Sequence, residues 1–207
     1  MVYSVLSIIP GTIIGIKASD GVVIGGEKRL TYNGFVLSKS VRKVYSITNY
    51  TGVGFAGLMG DVEFLVRLLR LEAKNYELNH NRLISPRSLA KILSIILYSY
   101  KLFPLITETV VGGIDRDRKP SIYVLDPVGS LIEEKYIALG SGGRVALGYI
   151  ESSYRDGISV SDAEKIVLDA VKIAIERDVL SGDGVDILVI TEKGCEFKEF
   201  LFKKTSV

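Results

Sequence analysis

The fold is decided by the stretch GTIIGIKASDGVVIGGEKR, which occupies residues 11–29. Residues 12–18 are mostly β-branched and apolar, and this composition predicts a strand. Asp20-Gly21 predicts a turn, and residues 22–28 predict a second strand. The near-continuous runs of Val and Ile indicate that these strands are covered on both faces.

Outward from this stretch, strands and pairs of helices follow one another in blocks. Further strands are predicted at residues 35–37, 43–47, 52–57, 108–114, 122–125, 131–132, 136–138, 185–191 and 196–202. Helices are predicted at residues 61–78, from Pro86 after the cap Ser85, at 145–153, and from Ser161. Ser161 and Glu164 have the spacing of a capping box.

The grouping of helices in pairs argues against alternating βαβ units. It predicts an α+β fold, a four-layer αββα sandwich in which two antiparallel sheets are flanked by helix pairs. The chain of 207 residues is long enough for one domain with a full hydrophobic core. No linker, repeat or low-complexity segment divides it.

The charge pattern excludes some function classes. The net charge is +2 and no Lys/Arg run exceeds two residues, so nucleic acid is not an expected partner. The apolar segment 1–10 is too short to cross a bilayer and lacks a basic start. With a single cysteine, Cys195, the chain has no internal disulfide, and we expect a cytoplasmic protein that does not bind membranes.

The residue types available limit the possible chemistry. Serine and cysteine proteases of the familiar kind need a histidine base, and His80 is the only histidine, in a polar run at a predicted helix end. Zinc ligands and a phosphate-binding loop are also missing, so no metal or cofactor is predicted. One design that needs no histidine is an N-terminal threonine, whose own amine serves as the general base.

A series of short motifs points to one family. In chain order they are Gly11-Thr12-Ile13-Ile14-Gly15-Ile16, Asp20-Gly21-Val22-Val23, Glu27-Lys28-Arg29, Arg42-Lys43-Val44, Ala56-Gly57-Leu58-Met59-Gly60-Asp61, Val111-Gly112-Gly113-Ile114-Asp115, Gly140-Ser141-Gly142 and Arg177-Asp178-Val179-Leu180-Ser181-Gly182. Each is weak alone, but together and in order they resemble the β subunits of archaeal-type proteasome core particles, over essentially the whole chain. The resemblance implies the N-terminal-nucleophile hydrolase fold and a part in ATP-dependent intracellular protein degradation.

The resemblance also implies a catalytic centre for a threonine endopeptidase. Thr12 would be the nucleophile, freed by autocatalytic removal of residues 1–11 as a propeptide or N-terminal extension, and residues 12–207 would form the β-type domain. Glu27 and Lys43 match the acid and the lysine that organise the nucleophile. From residue types alone, an ion-pair network without catalysis remains the simpler interpretation.

Four further positions match supporting parts of that centre. Ser141, Asp178 and Ser181 match a polar network near the free amine, although the two serines alone would also suit turns. The backbone N–H of Gly57 matches the oxyanion donor, a role that needs no side chain.

The first specificity pocket of the family corresponds to five positions here. They are Leu30, Thr31, Val41, Phe55 and Met59. The apolar character of the other four positions besides Thr31 argues against charged substrate side chains in this pocket, and Phe55 would make it small. Judged without the resemblance, the apolar members would be core residues.

The resemblance implies an assembly as well. The expected partners are proteasome α-type subunits, other β-type subunits in a seven-membered ring, and unfolded polypeptide substrates. A regulatory ATPase would act through the α ring.

The sequence departs from the family pattern at the nucleophile itself. Only Thr12, Ile13 and Ile14 precede Gly15, one residue fewer than in the archaeal family, so an ungapped alignment puts Gly11 in the nucleophile's place. A one-residue slip turns a strand side chain to the opposite face, unless a bulge restores its direction. Three hypotheses stay open: a catalytic subunit with Thr12 as nucleophile, a structural subunit of a mixed β ring, and another amidase of this fold, such as a bacterial-type two-ring protease subunit.

Overall fold

Two five-stranded antiparallel sheets form the centre of the structure, a computed structural model that describes residues 9–202. Of the predicted extension 1–11, the structure therefore describes only Ile9, Pro10 and Gly11. The prediction that residues 1–8 belong to a propeptide falls outside the described residues.

The strands of each sheet come from both halves of the chain. The first sheet has the order β10 (Tyr136–Leu139), β1 (Ile13–Lys17), β2 (Gly21–Glu27), β11 (Gly184–Thr191) and β12 (Gly194–Leu201). The second has the order β5 (Val44–Thr48), β6 (Thr51–Gly57), β7 (Thr107–Ile114), β8 (Pro120–Leu125) and β9 (Leu131–Glu134). Strands β3 (Leu30–Tyr32) and β4 (Phe35–Ser38) form a separate hairpin.

Two pairs of helices cover the outer faces of the sheets. They are α1 (Met59–His80) and α2 (Pro86–Ser99) on the second sheet, and α3 (Gly143–Ser153) and α4 (Val160–Arg177) on the first. The layers are thus helices, sheet, sheet and helices, which confirms the predicted αββα sandwich. In the described part of the chain, no helix has the length and apolar composition needed to span a bilayer.

Alternation along the strands separates the three layers of core. In β1, Ile14 and Ile16 belong to the cluster under α3 and α4, while Ile13 belongs to the cluster between the sheets. In β2, Val23 faces the helices and Ile24 faces the other sheet. Because successive strand side chains point to opposite faces, a fully buried strand needs apolar residues at every position.

Glycines let the two sheets approach closely beside β1. A Cβ atom added to Gly54 in β6 would lie 2.7 Å from the Ile13 Cγ2 atom. A Cβ atom added to Gly15 would lie 2.6 Å from the Cγ1 atom of Val110 in β7. Real Cβ contacts are almost never this short, so side chains of each sheet fill the space that a glycine leaves in the other.

The structure corrects two local predictions. Helix α4 begins at Val160, and its cap is Ser159, whose hydroxyl accepts the Asp162 N–H at 3.2 Å. The predicted capping box at Ser161 is therefore wrong, because Ser161 already lies within the first turn. The hairpin partner β3 was not predicted; its tight turn uses Asn33 and Gly34 in left-handed conformations, with φ of 48° and 77°.

We expect the layer between the sheets to be sensitive to truncation. Ile24 is fully buried there, so Ile24→Ala should lower the free energy of unfolding by about 2–5 kcal/mol. Chemical denaturation of the isolated subunit measures this. The matched control is Ile132→Ala in β9, where the side chain is 55% exposed and the change should stay within about 0.5 kcal/mol. Equal losses in the two variants would contradict this assignment of the core.

Candidate active site

The predicted site residues gather where several strands of both sheets begin or end. Glu27 ends β2, Gly57 ends β6, and Lys43 stands immediately before β5. Thr12 stands immediately before β1. Residues at strand ends leave the regular ladder, so their polar groups can meet each other at the edge of the sandwich.

A buried ion pair lies at the centre of the site. The Lys43 ammonium pairs with the Glu27 carboxylate and also donates to the Arg29 carbonyl oxygen at 2.7 Å. The second carboxylate oxygen of Glu27 accepts the N–H groups of Arg29 at 2.7 Å and Gly182 at 2.9 Å. Glu27 is fully buried and Lys43 is 4% exposed, so each charge depends on these partners for solvation.

Burial and pairing act in opposite directions on Glu27. Desolvation raises the pKa of this carboxyl group above its ordinary value of 4.5, and it outweighs the other causes. The Lys43 charge and hydrogen bond lower the pKa in part, followed by the two backbone N–H groups. The carboxylate thus relies on Lys43 to remain ionised inside the protein.

A chain of hydroxyl groups ends at the Asp178 carboxylate. One oxygen of Asp178 accepts hydrogen bonds from Ser141 and from Ser181, both at 2.6 Å. The Thr12 Oγ1 atom lies 2.8 Å from the Ser181 Oγ atom. Because Ser181 has one proton and donates it to Asp178, Thr12 must be the donor to Ser181. The Thr12 hydroxyl is therefore directed into the Asp178 network.

The residue that faces the ion pair is Gly11. A Cβ atom added to Gly11 would lie 2.9 Å from the Lys43 Nζ atom and 3.0 Å from a Glu27 carboxylate oxygen. Its backbone has φ of +105°, a conformation that residues with side chains rarely adopt. Its N–H donates to the Ser141 hydroxyl at 3.1 Å. The place nearest the lysine thus has no hydroxyl group to activate.

The Gly57 N–H, which is the implied oxyanion donor, already binds a carbonyl group. That carbonyl lies one residue before the one that cleavage ahead of Thr12 would require. The Gly57 N–H donates to the Pro10 carbonyl oxygen at 3.1 Å. The Gly11 carbonyl oxygen instead lies 3.4 Å from the Gly142 nitrogen. Cleavage that frees Thr12 must attack the Gly11 carbonyl, whereas the donor faces the Pro10–Gly11 peptide bond.

The five residues of the predicted specificity pocket fall into two groups. Phe55 is fully buried, and Met59 packs against the same cluster under α1 and α2. Leu30 and Thr31 belong to β3, and Val41 precedes Lys43, all three partly exposed. The Phe55 ring meets Tyr45 edge-on, at 6.5 Å between ring centroids, and is a core side chain. The role of these five residues in substrate binding stays a prediction.

A cleft of about 580 Å³ adjoins the site. Ser141 and Asp178 lie on one side of it, and Ile9 of the N-terminal segment also lines it. The remaining lining residues are Glu108, Ala138, Leu139, Gly140, Arg144, Val179 and Leu180. The described end of the N-terminal segment thus lies beside the polar network.

Two contributors were not assigned a role from sequence. The Arg29 carbonyl oxygen accepts a hydrogen bond from the Lys43 ammonium, and the Arg29 guanidinium pairs with Asp183 at 2.8 Å. Its position in the Glu27-Lys28-Arg29 motif was the available signal. The second contributor is the carbonyl group of Pro10. Its only sequence signal is the ungapped alignment, in which Pro10 directly precedes Gly11.

The two residues set aside at the start contribute no nucleophilic centre. His80 is exposed at the end of α1, and its Nδ1 atom lies 3.0 Å from the Tyr76 carbonyl oxygen. Cys195 lies in strand β12. Burial raises the pKa of its thiol to about 11, so the reactive thiolate is disfavoured.

Two stacked antiparallel sheets between two helix pairs are the α+β sandwich of the N-terminal-nucleophile hydrolases. A family model described as "Proteasome subunit" matches residues 10–190. The chain belongs to the proteasome subunit family, as a β-type subunit of archaeal type, which confirms the resemblance. Subunits of β type in this family are generally threonine peptidases.

Three similar proteins each carry the name proteasome subunit beta 1. That of Desulfurococcus amylolyticus is 63% identical over 96% of this chain and 98% of its own length. That of Staphylothermus marinus is 62% identical over 96% of this chain and 93% of its length. That of Hyperthermus butylicus is 48% identical, over 86% and 88%. These similarities extend over nearly the whole chain.

The ion pair predicts a pH-dependent defect when the lysine is removed. Lys43→Met leaves the Glu27 carboxylate without its cation, so the pKa of Glu27 rises further above 4.5 in the folded state. The folded protein then holds a proton that the unfolded chain loses, and stability falls as pH increases above about 4.5. We expect a loss of about 3–5 kcal/mol at pH 7.5 and a smaller loss at pH 5.

Denaturation of isolated Lys43→Met and of the double variant Glu27→Gln/Lys43→Met, at both pH values, tests this. The double variant should recover stability at pH 7.5 and lose the pH dependence, because no buried charge is left unpaired. An equal loss at both pH values in the single variant would show that Glu27 is not the responsible group.

Proposed function

We propose that this chain is a non-catalytic β subunit of a proteasome core particle, which completes a mixed β ring in which another β-type subunit carries the peptidase. The observation that carries the proposal is the glycine opposite Lys43. Attack on a peptide carbonyl needs a nucleophilic hydroxyl beside the lysine, and Gly11 offers only a hydrogen atom at that place.

The direction of Thr12 supports the same conclusion. Its hydroxyl donates a proton towards Asp178 through Ser181, whereas a nucleophile must lose its proton to a base. The nitrogen bonded to Ser141 is the peptide N–H of Gly11, whose lone pair is delocalised and cannot act as a base. The geometry therefore favours the structural hypothesis over Thr12 as the nucleophile.

The intact accessory residues are the observation in favour of the catalytic alternative. Lys43, Glu27 and Asp178 all keep the partners that a threonine peptidase would use. A structural reason accounts for them as well, because Glu27 joins the end of β2 to the loop that contains Gly182. Removal of either charge alone would leave the other buried without a partner.

The proposed assembly follows the family. The chain would occupy positions in a seven-membered β ring, in contact with other β-type and with α-type subunits, in the cytoplasm. Unfolded polypeptides, delivered by a regulatory ATPase through the α ring, would be cut at neighbouring subunits.

Intact mass of the chain in assembled particles tests the proposal most directly. We expect a chain that keeps the sequence upstream of Gly11, because no hydroxyl is in place to cleave the Pro10–Gly11 bond. The measurement requires co-assembly with α subunits and a catalytic β partner, whose own processing is the internal control. A mass that begins at Thr12 would disprove the structural assignment.

Substitution of Thr12 provides an independent check. Thr12→Val removes the hydroxyl but keeps the shape, and it is tested in particles whose catalytic β partner carries an inactivating substitution of its own nucleophile, so that only activity of this chain would remain. We expect no specific peptidase activity in these particles, whether position 12 is Thr, Val or the hydroxyl-bearing control Ser. Activity that remains with Thr12 and Thr12→Ser but is lost in Thr12→Val, with normal assembly, would identify Thr12 as a nucleophile.

A further inference from the structure

The N-terminal segment occupies the site in the manner of a bound acyl group. The Pro10 carbonyl oxygen accepts the Gly57 N–H at 3.1 Å, and this N–H is the donor that an incoming peptide carbonyl would need. The donor has one proton, so a second carbonyl cannot bind while Pro10 is in place.

Neighbouring residues hold Pro10 from both sides. Ile9 is only 7% exposed and belongs to the apolar cluster between the sheets, together with Ile13 and Ala56. Gly11 donates its N–H to Ser141. We call Ile9, Pro10 and Gly11 the N-terminal strap. Ile9 is part of the hydrophobic core, so the strap is anchored on its N-terminal side.

The chemistry of the strap explains why it would persist. Cleavage requires a hydroxyl oxygen on residue 11 to attack the Pro10 carbonyl carbon. The C–N bond would then break, the amine nitrogen would take the proton, and water would hydrolyse the ester. Gly11 supplies no oxygen, so the first bond cannot form, although the carbonyl is hydrogen-bonded to the donor.

We propose that the N-terminal strap permanently fills the acyl-binding position and excludes extended peptides from this subunit's site. This inference rests on the proposed non-catalytic function, because a chain cleaved before Thr12 would lose the strap. Its consequence is that peptide fragments in the particle cannot use this subunit as an additional binding site through the Gly57 donor.

Hydrogen exchange at the Gly57 amide tests the contact with Pro10. Mass spectrometry of assembled particles and of the isolated full-length chain should show slow exchange at Gly57. Ile9→Asp should release the strap and accelerate this exchange at least about tenfold, and Ile9→Ala should accelerate it less. Ile132→Asp, at a side chain 55% exposed, is the control that should leave Gly57 unchanged.

Restoration of the missing hydroxyl tests the position of the carbonyl. In Gly11→Thr particles we expect loss of residues 1–10 by intact mass, because the new hydroxyl lies beside Lys43 and the Pro10 carbonyl. Gly11→Ala is the matched control: it has the same added Cβ atom and the same φ constraint without an oxygen, and it should stay uncleaved.

The two proposals fail in different ways. A wild-type chain that begins at Thr12 overturns the proposed function and the strap together. A full-length wild-type chain whose Gly57 amide exchanges at the rate of an unprotected amide overturns the strap alone. Uncleaved Gly11→Thr in assembled particles also overturns the strap, because the carbonyl would then not lie where the hydroxyl can reach it.

Discussion

The buried pair of Lys43 and Glu27 constrains everything around it. A carboxylate and an ammonium inside the sandwich are tolerated only while each keeps its partner, so the segments that supply hydrogen bonds to them are held in place. These segments are the end of β2, the residues before β5 and the loop after α4. Loss of one charge alone would leave the other buried without a partner, so the two charges are kept or lost together, and the presence of the pair alone says little about catalysis.

The site combines two polar systems, the Lys43–Glu27 pair and the Asp178 network, and both hold backbone segments in place. The Asp178 carboxylate collects protons from two serines, one bonded to the Gly11 N–H and the other to the Thr12 hydroxyl. Both serines thus position the chain just ahead of β1. Groups associated with proton transfer can be retained because they satisfy buried donors and acceptors.

Most of the fold could be predicted because the helices keep a 3.6-residue apolar period and the buried strands are short, β-branched apolar runs bounded by turn residues. The choice between two equivalent local patterns, such as two candidate helix caps, could not be predicted. Ser159 and Ser161 each stand three residues before an acidic residue, so either could cap helix α4. The observed start at Val160 is accompanied by a tertiary contact, in which the Val160 N–H donates to the Asp20 carboxylate at 2.8 Å. At the site, motifs placed Lys43 and Glu27 together, whereas the direction of Thr12 depends on backbone geometry outside the regular strand.

The close contact between the sheets also determines how such a site can change over time. If β1 moved by one residue, Ile16 would take the place of Gly15, where Val110 leaves no room for a side chain. The strand is interlocked, so gain or loss of residues upstream of Gly11 cannot alter which residue stands opposite the lysine. A hydroxyl would reach that place through replacement of Gly11 or through an insertion between Gly11 and Ile13, so the chemistry available beside the lysine depends on this short segment and not on the length of chain before it.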